Sequence, residues 1–542
     1  MRKLSIILIV CTLLLQSCKE QHNDPGKNVF RYNEAANITT LDPAFARDQA
    51  IIWATNQLFN GLVQLDDHLE VKPCIARSWE ISPDGLVLTF HLRRDVFFHD
   101  NRVFPGNKGR RVVAGDFVYS FNRIADKRTA SPGSWVFNMV EEKEGLISFI
   151  EQDDSTFVIH LKKPFPPFLG ILTMQYCSVV PREAVAFYGN EFRRNPVGTG
   201  PFIFKMWKEG VKLVMVRNPG YFEFSDSSRL PFLDAVAVTF QPDKQSAFLE
   251  FIKGKLDFMS GIDPTYKDEV LDRDGHLKTK FTDRIYLITQ PYLNTEYLGV
   301  NVDSLSEGGG GNPLLNKELR KAISYAFDRE KMIHFLRNNI GTPGVFGIIP
   351  EGLPSFDSLH PYYDYDPVAS RLMISKAGFS EGNGIPSITL TSTPDYLDIC
   401  KYLQHQLAEQ GIEMNIEISP PASVKELKAQ AKLSFFRASW IADYPDAENY
   451  LSMFYSKNFC PQGPNYTHFS DREFDRLYEE AMSVVDDSLR CKLYRKMEMI
   501  IMEQAPVIIL YYDQVLRFVQ KNVTGIGSNP MNLLILKNVR KL

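Results

Sequence analysis

The chain has 542 residues, of which 44% are hydrophobic and 23% charged, with a formal net charge of −4. This length predicts two to four domains at roughly 100–200 residues each, with ample material for hydrophobic cores. The weak negative charge excludes the basic surface of a nucleic-acid-binding protein, so we expect no nucleic-acid partner.

The N-terminus predicts an export signal with a lipidation site. Arg2 and Lys3 precede an apolar run over 4–15, which is shorter than the roughly 20 residues of a membrane-spanning helix. The run ends in Leu15–Cys18, which resembles a bacterial lipobox, a motif whose cysteine is acylated. We therefore expect a signal peptide over 1–17 and a lipidated tether over 18–28, held to a membrane through Cys18. An ordinary secretory signal with an incidental cysteine is the alternative.

Strand-like and helical patterns alternate along the rest of the chain, which predicts α/β lobes. Period-two apolar runs, turn residues and helical spacing mark the individual elements. The predicted strands lie in 86–92, 156–169 and a hairpin over 202–219, and the predicted helices in 114–126, 317–336 and 398–411. The glycine tract over 307–312 lacks the Gly-Lys-Ser/Thr ending of a phosphate-binding loop, so we interpret it as a surface loop.

No catalytic or metal-binding motif appears. The serine elbow G-x-S-x-G and the zinc motif H-E-x-x-H are both missing, and the ten histidines are dispersed. The five cysteines after residue 18 have no C-x-x-C spacing, which predicts neither a disulfide framework nor a metal cluster. Asp443 and Glu448 could be paired as glycosidase carboxylates, although no spacing favours them. The enzyme hypothesis therefore has no positive signal, and we expect neither a cofactor nor a metal. A secreted glycosidase or peptidase stays as an alternative, because some sites leave no local motif.

The segment LSFFRASWIADYPDAENYLSMFYS, residues 433–456, combines a predicted strand, a proline turn and a helix. Asp446 is predicted at the helix N-cap and Glu448 in the first turn, where a carboxylate stabilises a helix. Asp443 has no such explanation. At the carboxyl end of a strand, beside Trp440 and Tyr444, it is a candidate for holding a cation, with a structural salt bridge as the alternative.

Arg437 precedes Asp443 by six residues on the same predicted strand. An arginine can bind a carboxylate through two hydrogen bonds, and the two groups would lie up to roughly 20 Å apart on an extended chain. One cationic and one anionic group suit an extended zwitterionic ligand. An internal ion pair of Arg437 is the alternative.

Blocks distributed over nearly the whole chain resemble the family 5 solute-binding proteins of ABC transporters, the oligopeptide, dipeptide and nickel group. The blocks that carry the resemblance include TTLDPAFARD (Thr39–Asp48), LFNGLVQLD (Leu58–Asp66), the segment Val71–Asn101, RVVAGDFVYSFNR (Arg111–Arg123) and EQAPVIILYYDQ (Glu503–Gln514). No single block is specific for this family, but together, in this order, the blocks are highly specific for it.

The resemblance implies a periplasmic binding protein type II-like α/β fold, with two lobes around a hinge and an additional subdomain. Lobe I would comprise 29–58 with 196–290 and 503–542, subdomain II would comprise 59–195, and lobe III would comprise 291–502. A ligand would bind by closure of the lobes.

The resemblance also implies site residues. In oligopeptide-binding members, a segment similar to RASWIADYP lies in the peptide cleft, where the aspartate pairs with the ligand ammonium and the arginine can meet the carboxylate. By motif position, the expected ligand-binding residues are Asp443, Arg437, Trp440, Ile441 and Tyr444, with Ala44 and Phe45 facing them from the other lobe.

The expected function is that of a substrate-binding lipoprotein of an ABC importer, which captures short peptides and delivers them to membrane permease subunits. We expect a monomer in the bacterial cell envelope, facing the periplasm or the exterior. An oligosaccharide or a metal chelate is the alternative ligand, because fold alone does not settle it. A surface adhesin or sensor is a further alternative.

Overall fold

The structure is a computed structural model that describes residues 27–143, 145–263, 266–306, 308, 311–379 and 384–542. The predicted signal peptide over 1–17, the lipidation site Cys18 and most of the tether over 18–28 lie outside the described residues. None of the helices in the described part of the chain is long and apolar enough to cross a membrane.

Helices are distributed along the described chain. They are α1 (Gln49–Leu58), α2 (Ala114–Ala125), α3 (Phe168–Ile171), α4 (Arg182–Tyr188), α5 (Lys244–Ile252), α6 (Lys267–Val270), α7 (Thr279–Thr282), α8 (Lys317–Tyr325), α9 (Arg329–Arg337), α10 (Pro367–Lys376), α11 (Leu397–Ala408), α12 (Pro421–Ala429), α13 (Glu448–Leu451), α14 (Arg472–Ser483) and α15 (Asp487–Gln504).

The strands alternate with these helices. They are β1 (Val29–Asn33), β2 (Val63–Leu65), β3 (Val71–Pro73), β4 (Ala76–Ile81), β5 (Val87–Leu92), β6 (Glu142–Lys143), β7 (Leu146–Ile147), β8 (Phe149–Asp153), β9 (Thr156–His160), β10 (Phe202–Lys208), β11 (Lys212–Arg217), β12 (Phe224–Ser225), β13 (Ser228–Arg229), β14 (Ala235–Thr239), β15 (Phe258–Ser260), β16 (Ile285–Val300), β17 (Thr342–Pro343), β18 (Ile388–Ser392), β19 (Met414–Ile418), β20 (Phe435–Ile441), β21 (Val507–Gln520), β22 (Val523–Thr524) and β23 (Arg540–Lys541).

The largest sheet has the strand order β10-β11-β14-β1-β15-β21-β16-β20-β18-β19, with β17 beside β21. Parallel pairs lie towards both ends, since β1 pairs with β14 and β15, and β18 pairs with β19 and β20. The antiparallel ladder of the long strands β16 and β21 joins these ends. Its register shifts between Pro291 and Thr295, where the ladder passes from one end of the sheet to the other.

Separate hydrophobic cores cover the two ends. One contains residues of 30–258 together with Tyr444, Val519 and the C-terminal Leu534 and Leu536. Two others are built from residues of 293–512, one of them including Phe436 and Tyr450 and the other Leu298 and Phe435. The mixed α/β architecture with a large central sheet agrees with the predicted fold class. The residue boundaries of the lobes stay a prediction.

A smaller sheet, β4-β5-β9-β8, packs against α2 within the range predicted as subdomain II. Phe121 of α2 lies at the centre of this contact and is fully buried. Its ring lies 4.8 Å from that of Phe137 and 5.3 Å from that of Phe149, measured between centroids. Part of the high aromatic content therefore builds this core.

The predicted strands and helices are confirmed with two exceptions. The helix predicted at the end of 433–456 is only the single turn α13, followed by 3-10 turns over Ser452–Phe454 and Ser456–Asn458. The second exception is the helix over 317–336. The structure breaks this helix into α8 and α9. Three residues separate them, and the last, Asp328, has extended backbone angles and accepts a hydrogen bond from the Lys331 N–H through its carboxylate as an N-cap. The apolar periodicity continues across the break, so it gave no sign that the helix stops.

We expect Phe121→Ala to lower the free energy of unfolding by about 3–5 kcal/mol, because it leaves a cavity among packed aromatic rings. Urea denaturation followed by tryptophan fluorescence measures this loss. Phe187→Ala is the matched control, since Phe187 is 60% exposed and should cost little. Equal losses in both variants would contradict this account of the core.

Candidate functional site

The candidate site lies at the carboxyl ends of two parallel strands. Thr391 of β18 pairs with Phe436 of β20, so both strands end at the same edge of the sheet. Tyr396 follows β18, and Asp443 follows β20. In open α/β sheets this edge is where ligands bind.

The Asp443 side chain can reach solvent, although many protein atoms lie around its carboxylate. The residue is exposed to solvent, yet desolvation by the surrounding protein raises the pKa of its carboxyl above the usual value. None of the lysines, arginines or histidines in the described part of the chain forms an ion pair with it. The structural salt bridge considered above is therefore not found among the described residues, and the carboxylate is exposed to solvent without a cationic partner there.

Asn449 holds Asp443 in place. Its side-chain oxygen accepts hydrogen bonds from the backbone N–H of Asp443 at 3.2 Å and from the Trp440 indole N–H at 2.8 Å. A hydrogen bond between the Asn449 and Asp443 side chains also lowers the carboxyl pKa, partly offsetting the desolvation. One buried amide thus fixes both the aromatic residue and the carboxylate.

The opposite wall comes from the N-terminal half of the chain. The pKa of Tyr176 is raised to about 12, first by burial and then by the charge of Asp443, and the charges of Arg47 and Asp48 also act on it. The Trp135 ring lies 6.2 Å from the ring of Tyr444. Asp443 therefore lies where 433–456 approaches elements far earlier in the chain.

Tyr444 is buried, and behind it lies a buried acid. The hydroxyls of Tyr444 and Tyr478 both donate hydrogen bonds to Glu448. Burial raises the pKa of Glu448 to about 7, although both hydrogen bonds act in the opposite direction. Glu448 lies in the first turn of the helix, as predicted, but α13 is a single short turn and the carboxylate is buried between two phenols.

Asp446 differs slightly from its prediction. The N-cap position of α13 is Ala447, but the Asp446 carboxylate does accept a hydrogen bond from the Glu448 N–H at 2.9 Å. It also accepts one from the Tyr494 hydroxyl at 2.8 Å. Asp446 therefore satisfies a backbone donor at the helix start and ties this turn to α15.

Arg437 is engaged inside the protein. Its guanidinium donates to the carboxylate of Glu296 on β16, and its Cζ lies 3.2 Å from the centre of the Tyr396 ring. The internal ion pair, which was the alternative for Arg437, is the arrangement in this structure. Nearby, Arg337 donates to Asp513 at 2.7 Å.

The remaining predicted ligand-binding residues differ in their exposure to solvent. Ile441 is 49% exposed at the end of β20, and Phe45 is half-buried. Ala44 is fully buried, its N–H donates to Asp42, and its carbonyl accepts from Ser131. This burial argues against a ligand contact by Ala44, whose short loop turns inward as a 3-10 helix. The exposed residues of that loop are Arg47 and Asp48.

Sequence reasoning missed several residues of this region: Glu296, Asn449, Tyr176, Tyr396 and Asp513. Only Asn449 lies within the segment that had been singled out, where it passed as an ordinary helical residue. The other residues are brought to the site by strand pairing or by packing of distant parts of the chain. Local sequence patterns do not predict such long-range contacts.

The chain matches the family model described as bacterial extracellular solute-binding proteins, family 5 middle, over residues 70–459. Because this match spans more than half of the chain, the protein belongs to this family of bacterial extracellular solute-binding proteins. Its members are substrate-binding proteins, which agrees with the fold.

Individual relatives are similar over nearly their whole length. The heme-binding protein A of Haemophilus influenzae is 26% identical over 97% of this chain and 97% of its own. The dipeptide-binding protein of Escherichia coli is 25% identical over 89% of this chain and 88% of its own. A solved structure of the binding protein DppA from Helicobacter pylori with the peptide STSA has a TM-score of 0.75 at 25% identity, covering 95% of this chain and 98% of that chain.

We expect Glu448 to make stability pH-dependent. With a folded-state pKa of about 7, Glu448 keeps a proton that the unfolded chain, with a carboxyl pKa of about 4.3, has already released. The free energy of unfolding should therefore fall by about 1–3 kcal/mol as the pH rises from about 4.5 through 7.

Glu448→Gln should remove this loss, so that the variant gains stability relative to the wild type as the pH rises from 4.5 to 8. Urea denaturation across this range measures the difference, with the exposed Glu426→Gln as the matched control. Parallel pH profiles for the wild type and Glu448→Gln would refute the assignment.

Proposed function

We propose that the protein captures short peptides between its lobes and delivers them to the membrane permease of an ABC importer. The observation that carries the proposal is the carboxylate of Asp443. It is exposed at the carboxyl end of β20, fixed by Asn449, and has no ion-pair partner among the described residues. A peptide's terminal ammonium supplies the missing cation.

The strand ends at the site and the register shift in the β16–β21 ladder support a peptide as ligand. An extended peptide can form main-chain hydrogen bonds along strand ends, so that its side chains are tolerated broadly. The register shift between Pro291 and Thr295 lies where the β16–β21 ladder passes between the cores. A bulged two-strand connection of this kind suits closure of one lobe on the other around a ligand.

The relatives favour peptides without deciding the matter. One relative is named for dipeptides, and one structurally similar protein was solved with a peptide. A relative of equal similarity is named for heme, so the choice of a peptide rests on Asp443. An oligosaccharide, one of the alternative ligands, would bring no cationic group to this carboxylate, whereas a peptide brings its terminal ammonium.

The cellular setting is part of the proposal. The sequence over 1–18 supports export and acylation at Cys18, which would hold a monomeric protein to a membrane of the cell envelope, facing the periplasm or the exterior. Diffusion along the membrane surface would then keep the protein near its permease.

We expect Asp443→Asn to weaken a tripeptide with a free amino terminus by about 10- to 100-fold, because a charge-assisted hydrogen bond contributes roughly 1.5–3 kcal/mol. The N-acetylated form of the same peptide should lose little. Isothermal titration calorimetry on the purified protein measures both. Asp154→Asn, which removes an exposed carboxylate on the small sheet, is the matched control. Equal losses for the two peptides would exclude the ammonium role.

We expect Cys18→Ser to move the protein from the membrane fraction to the soluble fraction, because the acylated residue is lost. Cell fractionation with immunoblotting measures this, and Cys11→Ser within the leader is the control. Retention of Cys18→Ser in the membrane fraction, after processing at an ordinary signal site, would contradict the lipid anchor.

A further inference from the structure

Arg437, the cationic residue of the candidate site, is already paired with groups of the protein itself. The Glu296 carboxylate accepts a hydrogen bond from Arg437, and both side chains are largely buried, with 3% and 13% of their surfaces exposed. The Tyr396 ring lies flat beside the guanidinium, 3.2 Å from its Cζ. One edge and one face of Arg437 are therefore already occupied.

Glu296 is held in this position by strand pairing. In the β16–β20 ladder, Leu298 lies opposite Arg437 and Glu296 opposite Ser439, so Glu296 and Arg437 project from the same face. The Glu296 carboxylate also accepts hydrogen bonds from the Asn294 amide at 3.2 Å and the Tyr396 hydroxyl at 3.4 Å. Three donors from three elements fix it, so it is not a mobile surface charge.

The second cation nearby is paired as well. Arg337 donates to Asp513 at 2.7 Å and to the Tyr511 hydroxyl at 2.9 Å. Each of the two arginines in this cluster thus has its own carboxylate. A ligand carboxylate would compete with Glu296, which already accepts from Nη2 of Arg437, and displacing Glu296 would leave a buried carboxylate without its partner at a high cost. It would also meet the negative charges of Glu296 and Asp513.

We infer that Glu296 is a specificity-determining residue: it neutralises Arg437, so the site recognises peptides by the ammonium at Asp443 and does not select for a carboxylate at their other end. The inference rests on the proposed function. The ligand class is accordingly peptides with a free amino terminus, whether they end in a carboxylate, end in an amide or continue beyond Arg437. Arg437 lies within β20, and Asp443 follows its carboxyl end.

The test compares a tripeptide with its C-terminally amidated form by isothermal titration calorimetry. The wild type should bind both within about 2-fold, since Arg437 is not available. Glu296→Gln should bind the free acid about 10-fold more tightly than the amide, because the freed guanidinium can form a charge-assisted pair. In the double variant Glu296→Gln with Arg437→Gln, this preference should disappear.

The possible results distinguish failure of the inference about Glu296 from failure of the proposed peptide-binding function. A wild type that prefers the free acid by 10-fold or more would overturn the inference, and this measurement needs no variant to fold. Unchanged acid-to-amide ratios in a Glu296→Gln variant with native circular dichroism would overturn it too. If the wild type binds neither form, the proposed function and the inference both fail. If the wild type binds the free acid and the amide but binds their N-acetylated forms weakly, the proposed function holds whatever the acid-to-amide ratio is.

Discussion

The long antiparallel ladder of β16 and β21 is the constraint on which the rest of the structure depends. At one end it pairs with β15 and borders the core of the N-terminal half, and at the other end it pairs with β20 and borders the cores of residues 293–512. The two ends of the sheet thus share strands, whose register shifts between Pro291 and Thr295. The same ladder carries Glu296 to the site.

The exposed charge of Asp443 depends on buried neighbours. Asn449 fixes its backbone, while the carboxylates of Glu448 and Asp446 tie the following turn to tyrosines of α14 and α15. A buried carboxylate is stable only when its hydrogen-bond capacity is used, which explains why tyrosine hydroxyls surround both acids. The unpartnered carboxylate is therefore presented by a turn whose other charges are all satisfied.

Two opposite charges, Arg437 within β20 and Asp443 just after it, differ in their exposure to a ligand. Asp443 faces solvent without an ion-pair partner among the described residues, whereas Arg437 is covered by Tyr396 and paired with Glu296. Membership of the solute-binding family sets the fold and the cleft, but these local differences determine which chemical groups of a ligand are recognised. Relatives named for a dipeptide and for heme share this fold at similar identity, as expected if ligand choice lies in a few side chains.

The sequence by itself determined the α/β class, most of the individual elements, and the strand and turn that present Asp443, because apolar periodicity and turn residues are local signals. It also predicted the N-cap role of Asp446 to within one residue. Only the tertiary structure decided the partner of Arg437, since Glu296 lies 141 residues away and meets it through the register of two antiparallel strands. Burial of Ala44 and of Glu448 was decided in the same way, because the solvent exposure of a short loop or turn follows from what packs over it.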